Sequence, residues 1–126
     1  APQLYALRMD AELDFASASE FERAIMQHLV KQPDIKHICL FAQPINRVDA
    51  TGLETFGQVR RMLFDRSITL HISGIKLPVE RILIGAGELP QKLGDWPLLR
   101  LYRTDAEALA AFKAHNEILM DGSAYI

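Results

Sequence analysis

Asp49-Ala50-Thr51-Gly52 is the place in this sequence where an acid, a hydroxyl and a glycine stand together between two patterned stretches. An apolar run, Ile38-Cys39-Leu40-Phe41, precedes it, and Leu53, Phe56, Val59 or Arg60, and Leu63 follow at helical spacing. A strand that hands over to a helix there leaves backbone amides unpaired at the positive end of the helix dipole, which suits an anion. Open α/β sheets also tend to build sites at the carboxyl ends of their strands. A hydroxyl at the same place is a candidate for phosphorylation, which adds about −1.5 to −2 charges. The plainer reading is a helix start in which Thr51 caps through its hydroxyl, Glu54 completes a Thr-x-x-Glu box and Gly52 permits close backbone approach. The residue types favour this cap and leave the anion site open.

Other residues capable of chemistry are dispersed. His28 and His115 fall in helical patterns and His37 and His71 in strand-like ones, none at metal-ligand spacing from another His, Cys or carboxylate. They read as surface or edge residues, and no metal is expected. Cys39, the single cysteine, lies in an apolar run, which indicates packing instead of nucleophilic chemistry and excludes an internal disulfide. Gly85-Ala86-Gly87 follows a helix and lacks a third glycine, so it reads as a helix C-cap and not a phosphate loop. Arg60, Arg61 and Arg66 form the densest basic group and read as a solvated helix face. Trp96, the single tryptophan, reads as a plug over the core or as an exposed contact. With no acid/base pair and no nucleophile, an enzyme is not expected.

The positioning elements alternate. Leu4 to Met9 reads as a strand, continued over 11–15 after a turn at Asp10. Ser17-Ala18-Ser19-Glu20 reads as a capping box opening a helix with Phe21, Ile25 and Leu29 on one face, stopped by Gln32-Pro33. Ile35 to Phe41 is apolar enough for a central strand covered on both sides. After the helix from Thr51 come a strand over 69–73, a helix over 79–84 with Pro78 in its first turn, and a loop over 88–97. A strand over 98–102 is followed by the Thr104-Asp105-Ala106-Glu107 box, which opens a helix running to about Met120. This order predicts an α/β domain.

The chain has 126 residues, 49% of them hydrophobic, which suits one domain with one core. The formal net charge of −2 and a pI near 6.1 give no electrostatic basis for nucleic acid as a partner. No apolar segment approaches the ~20 residues of a membrane span, and no signal peptide is visible. The first residue is Ala, and the chain enters a strand pattern almost at once, so it reads as a domain cut from a longer protein.

Taken in order, Leu13-Asp14-Phe15-Ala16-Ser17-Ala18, Ile35-Lys36-His37-Ile38-Cys39-Leu40 and Val48-Asp49-Ala50-Thr51-Gly52-Leu53 resemble a STAS domain, the module named for sulfate transporters and anti-sigma factor antagonists. Ile68 to Gly74, Val79 to Leu83 and Thr104 to Leu109 continue the likeness over nearly the whole chain. The resemblance implies an α/β STAS-type fold, a mixed central β-sheet of about four to five strands with about four helices packed on it.

In the antagonist branch the residue after the Asp carries the phosphorylated hydroxyl; here it is Ala50, and Thr51 comes one position late. The Leu-Asp-Phe-Ala-Ser-Ala stretch is similar to the corresponding segment of SulP anion transporters. The resemblance therefore implies a non-catalytic regulatory domain at the cytoplasmic face of the membrane, spanning residues 1–126 and excised from the C-terminal end of such a transporter. Expected partners are the transporter's transmembrane domain and, as in some members, acyl carrier protein; no cofactor is expected beyond weak nucleotide binding. The expected regulatory loop is Asp49, Ala50, Thr51 and Gly52, and the expected interaction face is Arg47, Glu54, Gln58 and Arg61. The alternative is a soluble anti-sigma factor antagonist or stressosome-type protein.

Overall fold

The computed structural model describes residues 4–8, 15–92, 94–114 and 120–125. Its elements are β1 (Leu4–Arg8), α1 (Phe15–Lys31), β2 (His37–Phe41), α2 (Ala50–Asp65), β3 (Thr69–Ser73), α3 (Leu77–Gly85), β4 (Leu99–Tyr102), α4 (Asp105–Ala114) and β5 (Met120–Tyr125). The five strands form one sheet in the order β4-β3-β2-β1-β5. All four pairings are parallel, so the sheet among the described residues is not the mixed one expected. Helices α1 to α4 alternate with the five strands, and a helical crossover returns the chain so that the next strand runs parallel to the last.

Topology also decides which face each helix covers. From β1 to β4 the chain steps across the sheet in one direction, and right-handed crossovers then put α1, α2 and α3 on one side. The connection from β4 to β5 runs back past the whole sheet, which puts α4 on the other. Side chains alternate accordingly. Tyr5, Leu7, Ile38, Leu40, Leu70, Ile72 and Leu99 meet Phe21 and Ile25 of α1, Phe56, Val59 and Leu63 of α2, and Val79 and Leu83 of α3. Leu4, Ala6, Cys39 and Phe41 point the other way, toward Ala108 and Phe112 of α4. Each fully buried Leu, Ile or Phe contributes about 1.5–3 kcal/mol, so the three-helix face carries most of the stability.

Several boundaries differ from the sequence reading. Phe15 starts α1 instead of ending a strand, so Ser17 lies inside the helix and its Ser-x-x-Glu pattern is not a cap; Ala18, wholly buried one residue later, shows that the core-facing stripe already runs through this turn. Residues 11–14 lie outside those described. Helix α4 is described as far as Ala114, residues 115–119 lie outside those described, and Met120, expected to end that helix, begins β5. The other signals hold: Pro78 sits in the first turn of α3, and Gly87, at φ +78°, follows its Ala86 C-cap. Thr104 Oγ1 accepts from the Glu107 amide at 3.1 Å, while Glu107 Oε2 accepts from the Arg103 amide at 3.1 Å, a reciprocal pair at the start of α4.

Cys39 is fully buried on the α4 side of β2. Burial, reinforced by the charge of Asp105 and opposed by Arg8, pushes its thiol from 9.0 up to about 12. The thiol is therefore held neutral and inert, as its apolar surroundings suggest. Because the folded protein holds this proton more tightly than the unfolded chain, stability is intact below about pH 9 and falls as pH rises toward 12. The slope is about 1.4 kcal/mol per pH unit from this group alone. Chemical denaturation of wild type and Cys39→Val between pH 8 and 10.5 checks it, with the variant's alkaline loss the smaller.

Candidate functional site

The loop after β2 brings the chain to the carboxyl edge of the sheet and turns it into α2. Asp49, extended at φ −93° and ψ 179°, is the N-cap, and its Oδ1 accepts from the Gly52 amide at 2.8 Å. The cap is thus Asp49 and not Thr51. The helix has to turn Gly52, Phe56, Gly57, Val59 and Leu63 inward, and that phase leaves Thr51 exposed in the first turn. The expected Thr-x-x-Glu box does not form; Glu54 Oε1 instead accepts from the side-chain Nε2 of Gln58 at 3.3 Å. Replacing Asp49 by Ala removes the acceptor and is expected to cost about 1 kcal/mol in urea unfolding, whereas Thr51→Ala is expected to change stability little.

Asp49, Ala50 and Thr51 are exposed and Gly52 is buried. Arg47, Glu54, Gln58 and Arg61 are all exposed, so the residues assigned to an interaction face do reach solvent. Spacings of three and four residues align Glu54, Gln58 and Arg61 along one side of α2. Lys76, which sequence reasoning missed, comes from the β3–α3 connection and donates through Nζ to Asn46 Oδ1. It brings a second basic residue to the loop that holds Arg47. Its position after Gly74, at φ +70° where β3 ends, was the available signal. The sheet order reverses between β1 and β5, so this loop lies one strand away from the switch point, not at it.

Two further groupings were not foreseen. Nδ1 of His37 lies 3.0 Å from Nε2 of His71, and Nδ1 of His71 lies 2.9 Å from the Tyr102 hydroxyl. His71 is 3% exposed, so for this histidine the surface-or-edge reading fails, while His115 lies outside the described residues. One of the two imidazoles must accept in this contact, which keeps at least one of them neutral. Phe112 places its ring edge-on to both His71 and Tyr102, sealing the chain under α4. Burial raises the Tyr102 hydroxyl, with Cys39 adding to the rise and Arg100 opposing it. Among the described residues no three His, Cys, Asp or Glu side chains cluster as a metal site.

The second grouping is at Arg60. Its Nη2 donates to Glu88 Oε1 at 2.8 Å, and Arg61 Nη1 reaches the same carboxylate at 3.2 Å. The Arg60 guanidinium also lies 4.6 Å from the Trp96 ring centroid. The basic run on α2 is thus partly a shielded ion pair and not a wholly solvated face. Trp96 is half-buried against the core, which is the plug reading.

With this geometry in view, comparisons with known proteins define the class. The family model described as "STAS domain" matches residues 1–108, and the chain belongs to that family. Among solved structures it is similar to the SulP transporter STAS domain from Vibrio cholerae. The identity is 24%, with a TM-score of 0.71 over 93% of this chain and 86% of that one. Comparison with curated proteins finds no match. Among the described residues no helix is long and apolar enough to cross a membrane.

Proposed function

We propose that this chain is the cytoplasmic regulatory domain of a SulP-type anion transporter, that it catalyses nothing itself, and that it acts by docking through the 44–52 loop and the exposed side of α2. The observation carrying this reading is Ala50. It occupies the first helical position after the Asp49 cap, exposed, where the antagonist branch resembled by this loop has its phosphorylated hydroxyl. A methyl group there cannot carry a charge switch. The fold likeness to a transporter STAS domain supports the same branch. The partner is the transporter's own transmembrane domain, with acyl carrier protein as a second, soluble partner and a nucleotide as a weak ligand of the same loop.

One observation favours the soluble-antagonist reading. Thr51 does not cap, so its hydroxyl is exposed in the first turn of α2, where a phosphate would meet the positive end of the helix dipole. The gene upstream of the Ala1 codon separates the two. The transporter reading expects some ten apolar segments of ~20 residues there; a start codon with none of them contradicts it.

A further inference from the structure

At the end of the sheet opposite the docking loop, the last turns of α2 leave a cavity of about 240 Å³ lined by Arg60, Phe64, Leu70, Trp96, Pro97, Leu98 and Leu99. It lies where β3 and β4 begin, because α2 runs antiparallel to the strands beside it. We propose that this cavity binds a small apolar carboxylate of about eight carbons, with its oxygens on Arg60.

Three observations carry the proposal. The first is size and lining: at ~30 Å³ for each water-sized group the space holds about eight of them, and every lining residue but Arg60 is apolar. Phe64, at the mouth, stays 47% exposed although it is a large aromatic. The second is a missing bond. The Nε–H of Arg60 is buried with no acceptor in the structure, although Nη2 donates to Glu88 and the guanidinium lies over Trp96. Nε is shielded from the cavity as Arg60 stands, so a carboxylate recovers the cost of this buried, unpaired donor by turning the guanidinium toward itself. The third is charge. Arg60 and Arg61 share the single carboxylate of Glu88, so the cluster carries one positive charge in excess (+2 − 1 = +1). This favours an anionic head over a neutral one.

Trp96 is the chain's single tryptophan and lines the cavity, so its fluorescence reports occupancy directly. Octanoate, kept below its micellar concentration, is titrated into the intact domain, with 2-octanone as the neutral control. The expected result is a saturating change in Trp96 emission, with amide shifts at residues 60, 64, 96, 98 and 99 and weaker binding of 2-octanone. Arg60→Lys keeps a cation for Glu88 but lacks Nε, and is expected to weaken octanoate by about fivefold or more. Phe64→Ala is expected to weaken it as well, while Val30→Ala, an exposed residue of α1 that does not line the cavity, has no effect. Circular dichroism confirms that each variant is folded. A response that stays linear to the solubility limit, or one that saturates equally in Arg60→Lys and Phe64→Ala, overturns the proposal.

Discussion

Phe112→Ala is expected to destabilise the domain by about 3 kcal/mol and to loosen α4 before the rest of the fold. In α4 the buried residues are Ala108 and Phe112, so the phenyl ring is the helix's one large anchor. The cluster it joins is small: Leu4, Ala6, Cys39, Phe41 and Ala108, with Tyr102 against it. Neighbouring side chains on this thin face cannot close the space left by the ring. The ring also edges His71 at 5.1 Å and Tyr102 at 5.8 Å between centroids, so truncation lets water reach the His37–His71–Tyr102 chain. Native-state hydrogen exchange should therefore show β4 and α4 opening at lower free energy while α1 and α2 keep their protection. Uniform loss across both faces would mean that α4 is not a separate unit.

Gly57→Ala is expected to cost about 2 kcal/mol, opposite in sign to what helix propensity gives. In an exposed helix this change gains about 1 kcal/mol. Here a Cβ would stand 2.0 Å from Glu88 Oε2 and 2.5 Å from its Cδ, so the carboxylate must move. Glu88 is only 14% exposed and holds Arg60, itself 17% exposed, so displacement leaves a shielded guanidinium without its partner. Breaking such a pair costs about 3–5 kcal/mol at full burial and less here, which still outweighs the propensity gain. The sign is the test. In a Glu88→Ala background the obstruction is gone, and Gly57→Ala should become neutral or stabilising by up to about 1 kcal/mol. A destabilising effect in both backgrounds would place the cause elsewhere.

Both predictions rest on contacts between residues far apart in the chain, and these were the parts that the sequence did not disclose. Local signals were reliable where one physical force acted alone. Thr69–Ser73 reads as a short strand, Pro78 marks a helix start, and the apolar run through Ile38 to Phe41 is the central strand it promised to be. Cap assignment failed at Thr51, two residues beyond the residue that caps. Asp49 and Thr51 are both good caps, and the choice was made by the tertiary need to turn Gly52 and Phe56 inward. The histidine chain was hidden because His37 stands beside Thr69 in the sheet, and that register is not written in the spacing of either strand. Glu88, 28 residues from Arg60, was hidden for the same reason. The Asp-x-Thr-Gly step remained legible because its geometry is local: cap, hydroxyl and buried glycine within a single helical turn.

The central claim is that the start of α2 is a docking face and not a reactive site. The most direct measurement is an amide-shift titration of this domain with the detergent-solubilised transmembrane part of its parent protein. Shifts or broadening are expected at Arg47, Asp49, Ala50, Thr51, Glu54, Gln58 and Arg61, with the α4 amides of Leu109 and Lys113 unmoved. Loop and α2 amides that stay still while those of α4 respond would contradict it.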